Sequence, residues 1–73
     1  EFEVYPNPVH EIVFINTDQL PEAYEVIIQD VNGRVVMQAG TVDRMDVSQL
    51  QRGIYLFRIS ANGELVTRKF IKE

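Results

Sequence analysis

The 73-residue chain has no cysteine and no tryptophan, a single histidine, and no long run of apolar residues. Without cysteine there is neither a disulfide framework nor a thiolate nucleophile, and a lone histidine excludes a zinc site of the usual kind. No stretch approaches the run of about eighteen apolar residues that a spanning helix needs, and the N-terminus lacks the basic and apolar pattern of a secretory leader. The sequence therefore predicts one small domain over residues 1–73, held together by packing and without a transmembrane segment.

Residues that could catalyse a reaction or bind an ion are few and sparsely spaced. The glycines occur singly at turns, which excludes a phosphate-binding loop. One candidate is His10, an isolated histidine that we expect at the surface. Asp43 and Asp46 form a close carboxylate pair. Asp18, Glu22 and Glu25 form a loose acidic run that could hold calcium. None has the ligand density of a dedicated calcium loop. We therefore expect no enzyme, no metal site and no cofactor.

Acidic and basic residues are unevenly distributed along the chain. Net charge is −4, yet every Lys and Arg lies after residue 33, whereas most acidic residues lie before it. Such a split either orients the domain against a partner or is neutralised when the two halves pair in a sheet. Nucleic acid is not an expected partner, because phosphate binding needs a concentrated basic face.

Short segments rich in β-branched and aromatic residues alternate with turn residues, which predicts an all-β fold. Expected strands cover residues 3–5, 11–16, 24–30, 34–38, 41–45, 53–61 and 64–71. Pro6-Asn7-Pro8 predicts a rigid corner, and Asp46 to Gly53 predicts one helical turn capped by Asp46. About seven strands with this turn spacing favour a small antiparallel β-sandwich of immunoglobulin-like build.

Asn32-Gly33 and Asn62-Gly63 each predict a hairpin with a two-residue type I′ turn. Counting from the second turn places one set of side chains on the core face: Tyr55, Phe57, Ile59, Val66 and Phe70. The opposite face mixes apolar, polar and basic groups: Ile54, Leu56, Arg58, Ser60, Leu65, Thr67, Lys69 and Ile71. This second face is either an ordinary solvated surface or a strip that binds a partner.

The ordered set of segments resembles a known family over nearly the whole chain. The segments are Tyr5-Pro6-Asn7-Pro8, residues 26–30, residues 32–36, residues 45–50, Gly53-Ile54-Tyr55-Leu56 and Lys69-Phe70-Ile71-Lys72. Each is weak alone, but together they resemble the type A C-terminal sorting domain of proteins exported by the bacterial type IX secretion system.

That resemblance implies an immunoglobulin-like domain that directs an upstream cargo protein through the periplasm to the outer-membrane surface or extracellular space of a Gram-negative bacterium. It implies three partners: the type IX translocon with its outer-membrane shuttle components, a cell-surface sortase that commonly removes the domain, and the covalently attached cargo. The freed cargo end is often joined to lipopolysaccharide. The matching positions, expected to be recognised by the secretion machinery, are Pro6, Asn7, Pro8, Gly33, Arg34, Gly53, Tyr55, Lys69 and Lys72.

Two further expectations concern the end of the chain and the rival function. Phe70 should anchor inward while Lys69, Ile71 and Lys72 project toward a partner or the chain end, so that each lysine, as an exposed charge, contributes less than about 1 kcal/mol to stability. This last strand could then be read as an exposed edge, or its lysines could serve only to prevent edge pairing. The rival is an adhesin-like or carbohydrate-binding module, for which an aromatic platform would have to come from Phe2, Tyr5 or Tyr24.

Overall fold

The computed structural model describes residues 2–73 and contains seven strands in two antiparallel sheets. The strands are β1 (Glu3–Tyr5), β2 (Ile12–Asn16), β3 (Glu25–Asp30), β4 (Val35–Ala39), β5 (Arg44–Asp46), β6 (Gly53–Ala61) and β7 (Glu64–Lys72). Sheet A has the order β1-β2-β5, and sheet B has the order β4-β3-β6-β7. Two antiparallel sheets are compatible with a small immunoglobulin-like sandwich, which confirms the expected fold class.

The core lies between the two sheets and is built by the period-2 alternation of their strands. Sheet B contributes the largest fully buried side chains, among them Phe57 and Phe70. The expected core face of β6 and β7 is confirmed, with Tyr55 and Ile59 buried and Val66 partly buried against the core. Phe2, just before β1, is also buried, and its ring lies 6.0 Å from that of Phe57. Aromatic packing therefore ties the N-terminal residues to the centre of sheet B.

The Asn62-Gly63 hairpin forms as expected, with φ values of 53° and 78° at the two central residues and Ala61 opposite Glu64. The Asn32-Gly33 prediction was wrong in detail. There the Gly33 amide donates to the Asp30 carbonyl (3.0 Å), so Val31 and Asn32 are the central residues and Gly33 follows at φ 86°. This is the three-residue hairpin loop in which glycine takes the left-handed position of a bulge.

The Asp30 side chain explains the different geometry of this first loop. Its Oδ1 accepts hydrogen bonds from the amides of Asn32 (2.9 Å) and Arg34 (3.0 Å), and its Oδ2 lies 3.3 Å from Arg34 Nε. These bonds satisfy the loop amides in the wider turn. The pairing of β3 with β4 also shifts register at Ile28/Gln29, which is the local irregularity expected of a bulge.

The segment between β5 and β6 forms a turn instead of the expected helical turn. The Leu50 amide donates to the Val47 carbonyl (3.0 Å), an i to i+3 bond, while the Val47 amide donates to the Glu11 carbonyl (2.7 Å) and ties this residue to sheet A. Asp46 does cap the turn, since its carboxylate accepts from the Ser48 amide at 2.9 Å. That contact with Ser48 lowers the pKa of Asp46. Leu50 N–H to Val47 is the one i to i+3 backbone bond within the described segment between β5 and β6, so the segment is a single β-turn.

The acidic and basic halves of the chain meet at several points. Arg68 lies 3.9 Å from Glu3, in addition to the Arg34 contact with Asp30. The Arg68 guanidinium also donates to the Phe2 carbonyl (3.0 Å) and covers the Phe2 ring. Part of the charge asymmetry is therefore neutralised within the fold. Separately, no helix within residues 2–73 is long and apolar enough to cross a membrane.

Candidate functional site

The antiparallel pairing of sheet B gathers the candidate residues at one end of the sheet. Gly53 pairs with Lys72, Tyr55 pairs with both Phe70 and Asp30, and the β3–β4 loop follows Asp30 directly. We call this end, formed by the end of β3, the start of β4, the start of β6 and the end of β7, the motif end. It contains Gly33, Arg34, Gly53, Tyr55, Lys69 and Lys72.

The Pro6-Asn7-Pro8 corner joins the motif end through the edge of β7. Asn7 Oδ1 accepts from the Ile71 amide (2.9 Å), and Asn7 Nδ2 donates to the Lys69 carbonyl (3.4 Å). The Asn7 side chain therefore bonds β7 as the backbone of a neighbouring strand would. Both peptide bonds that precede the prolines are cis.

Val9 continues this contact as a short parallel bridge. Its amide donates to the Ile71 carbonyl (2.9 Å), and its carbonyl accepts from the Glu73 amide (2.9 Å). Val9 itself is fully buried. The outer edge of β7 from Lys69 to Glu73 is consequently covered, and the expectation that the last strand presents an exposed edge is wrong for this part of it.

We expect Asn7→Ala to destabilise the domain by about 0.5 to 1.5 kcal/mol, the usual net worth of one intramolecular hydrogen bond, because the 2.9 Å bond from the Ile71 amide is much stronger than the 3.4 Å bond to the Lys69 carbonyl. Loss of the Asn7 acceptor should also speed hydrogen exchange of the Ile71 amide, which NMR measures. Asn7→Asp is the matched control, because it keeps the acceptor for the Ile71 amide. Equal exchange at Ile71 in the alanine variant and the wild type would contradict the strand-like role of Asn7.

The two terminal lysines occupy different environments. Lys69 is exposed, as expected, whereas Lys72 is 7% exposed and lies on the same face as Phe70. Its Nζ donates to the Glu73 carbonyl at 2.9 Å, and its backbone is bracketed by Gly53 and Val9. The prediction that Lys72 is an exposed charge was therefore wrong, and the small contribution to stability inferred from that exposure loses its basis. Strand alternation counted from Phe70 requires Lys72 to point inward, where its aliphatic stem is buried.

Gly53 and Tyr55 shape the start of β6. The φ of Gly53 is 153°, a positive value that L side chains rarely adopt, so a substitution would strain the chain although nothing lies within 4 Å of an added Cβ. The Tyr55 ring stacks on Phe70 at 5.6 Å, and its hydroxyl donates to the Gln51 carbonyl at 2.6 Å. Tyr55 therefore fixes the turn that precedes β6 as well as the core.

A groove of about 590 Å³ lies at the motif end on the side of β3 and β4. Apolar side chains of Val31, Val36, Leu50 and Ile54 line it together with Arg34, Arg52, Gly53 and Tyr55. Its one carboxylate, Asp30, is engaged by the loop amides and by Arg34. Three of the candidate residues thus share a concave surface, while the Pro6-Asn7-Pro8 corner lies across sheet B at the β7 edge.

The residues considered for catalysis, metal binding or sugar binding have ordinary surface or core positions. His10 is 76% exposed and lies 3.7 Å from Glu73. Asp43 is engaged by Arg44, whose hydrogen bond lowers the pKa of Asp43, and nowhere in residues 2–73 do three His, Cys, Asp or Glu side chains form a group that could hold a metal ion. Of the three aromatic residues considered for a sugar platform, Phe2 and Tyr24 are buried.

Tyr5 is the exposed member of that set. It is 52% exposed, and its ring stacks on Phe14 at 5.7 Å. The Arg44 guanidinium lies over the other partner ring, 5.2 Å from the centroid of Phe14. Tyr5 is therefore part of a small ladder on sheet A, away from Phe2 and Tyr24, and the three do not form one platform.

Comparison with known proteins identifies the family. A sequence model of the secretion system C-terminal sorting domain matches residues 3–73. Beta-agarase D of Zobellia galactanivorans is 32% identical over an alignment 73 residues long, which covers 97% of this chain and 15% of that protein. The match lies in the C-terminal region of the agarase, so the chain spans only a small part of this relative. The chain therefore belongs to the secretion system C-terminal sorting domain family, whose members are sorting signals for type IX secretion at the end of secreted proteins.

Proposed function

We propose that this domain is read by the type IX translocon through its motif end and the adjoining Pro6-Asn7-Pro8 corner. Family membership over residues 3–73 is the observation that carries the proposal. The fold supports it, because segments far apart in sequence meet at that end, and Asn7 is hydrogen-bonded to β7 across 62 to 64 positions. A translocon that binds this arrangement would recognise the folded domain instead of a linear peptide.

Some of the proposed recognition residues maintain the shape of the motif end, and others are exposed there for contact with a partner. Gly33, Gly53, Tyr55, Asn7 and Lys72 set turns, packing or edge bonds. Arg34 and Lys69 are solvent-exposed cations at opposite sides of the motif end, and the prolines hold the corner. The translocon would accordingly meet positive charge at a rigid sheet end.

The route around this recognition step is also part of the proposal. The domain is joined to an upstream cargo that crosses the inner membrane by its own signal peptide. Outer-membrane shuttle components then receive it, and a cell-surface sortase removes the domain. The cargo end is released or joined to lipopolysaccharide. The cargo activity is carried by other residues, so this domain needs no catalytic group or cofactor.

Lys69→Ala tests the proposed reading of the motif end. In a fusion of residues 1–73 to a periplasmic reporter, we expect surface delivery to fall about tenfold, as the loss of 1.4 kcal/mol of binding would produce. The melting temperature should hardly change, because an exposed charge is worth less than about 1 kcal/mol. Glu64→Ala, an exposed position at the other end of β7, is the control and should export normally. Normal export by both variants would refute a role for Lys69 in recognition.

A further inference from the structure

The four outer edges of the two sheets are not equally protected against pairing with another strand. β1 and β5 are three residues long, and they carry one and two charged residues, respectively. The β7 edge carries several charges and is covered by Asn7 and Val9 over its last part. β4, with the sequence Val-Val-Met-Gln-Ala, has no charged residue and pairs only with β3 within residues 2–73. Charges and covering segments are the usual defences of an edge, and β4 lacks both.

The direction of the free backbone groups on β4 follows from the pairing of β3. The Asp30 amide donates to the Arg34 carbonyl, so alternate amides of β3, including that of Ile28, are directed toward β4. The amide of Ile27 is then directed toward β6. Gln38 is the partner of Ile27 on β4, so its own N–H and C=O point away from the sheet. β4 therefore offers paired donors and acceptors to an incoming strand.

The surroundings of β4 indicate which kind of segment would fit. Val36 of β4 lines the groove at the motif end, and the apolar lining also includes Val31 (68% exposed) and Ile54 (47% exposed). Arg34 and Arg52 also line it, and because Arg34 is paired with Asp30, the one carboxylate of the groove, Arg52 gives the groove its excess positive charge. This basic, apolar surface on a chain of net charge −4 suits an apolar segment that carries a carboxylate.

We propose that β4 is the docking edge for an extended, acidic and apolar segment of a protein of the secretion apparatus. The segment adds a fifth strand to sheet B beside β4, places an apolar side chain in the groove, and brings a carboxylate to Arg52. This inference rests on the proposed function and assigns the partner-binding role to the outer edge of β4, of which residues 37–39 lie outside the family motifs. A second copy of this chain is a poorer occupant, because two domains of net charge −4 repel each other.

Gln38→Pro tests the edge directly, because proline removes the outward N–H without removing a bond to β3. Gln38→Ala is the matched control, since it loses the same side-chain amide but keeps the backbone donor. In the reporter fusion we expect the proline variant to fold and to be delivered about tenfold less than the alanine variant, which equals 1.4 kcal/mol of binding. A folded proline variant that is delivered as well as the alanine variant would overturn the proposal.

Arg52→Glu decides the matter if Gln38→Pro does not fold. Arg52 is exposed and lies outside the residues implied by the family motifs. Reversal of its charge should therefore leave the melting temperature unchanged while reducing delivery. Arg52→Lys, which keeps the positive charge, should preserve delivery. Equal delivery by the two Arg52 variants would overturn the acidic partner. Sedimentation of the wild-type domain at micromolar concentration as a dimer that Gln38→Pro dissociates would assign the edge to a second copy and would also overturn it. Failure of the wild-type fusion to be exported would instead refute the proposed function.

Discussion

Substitution of Phe57 by alanine is expected to lower the free energy of unfolding by about 3 to 5 kcal/mol, the usual cost of removing a fully buried phenylalanine ring. Phe57 is 0% exposed and its ring contacts those of Phe2 and Phe70, at 6.0 Å and 6.2 Å between centroids. At roughly 0.05 to 0.15 kcal/mol per residue, the 73-residue domain has about 4 to 11 kcal/mol of stability, so this loss is a large share of it.

Chemical denaturation monitored by circular dichroism measures this effect, with Phe14→Ala as the control. Phe14 is partly exposed and stacks on Tyr5 on the outer side of sheet A. Its truncation should therefore cost clearly less than that of Phe57. A Phe57→Ala variant with the denaturation midpoint of the wild type would show that this ring does not pack in the core.

Lys72→Ala is the second substitution with a large expected effect. It should destabilise the domain by about 2 kcal/mol, because it removes three buried methylene groups worth about 0.8 kcal/mol each. Lys72→Met keeps most of the buried stem and should remain close to the wild type. Lys69→Ala removes an exposed lysine from the same strand and should cost less than about 1 kcal/mol. Thermal melting that finds Lys72→Ala as stable as Lys69→Ala would contradict the buried position of Lys72.

Local patterns sufficed for the hairpin of β6 and β7 but not for that of β3 and β4. Asn62-Gly63 fixes the register of β6 and β7, and period-2 counting from that turn places Phe57 and Phe70 in the core. The Asn32-Gly33 turn could not be assigned from its dipeptide alone, because the Asp30 side chain bonds the loop amides and favours the wider turn.

Long-range contacts explain the remaining differences between sequence and structure. Charge suggested that Lys72 is exposed, whereas strand alternation after Phe70 turns it inward. The same count of alternate residues could have revealed this position. No local signal could have revealed that Asn7 and Val9 cover β7, because that pairing spans more than 60 residues. The free edge of β4 emerged only once the partners of every other strand were known.

Export of a reporter carrying these residues shows whether the domain is a type IX sorting signal. A periplasmic reporter fused to residues 1–73 is produced in a host with the type IX secretion system and in the same host without it, and the reporter on the cell surface and in the medium is measured by protease accessibility and immunoblotting. We expect delivery in the first host and retention of folded reporter in the periplasm of the second. Periplasmic retention in both hosts, with the domain intact and folded, would contradict it.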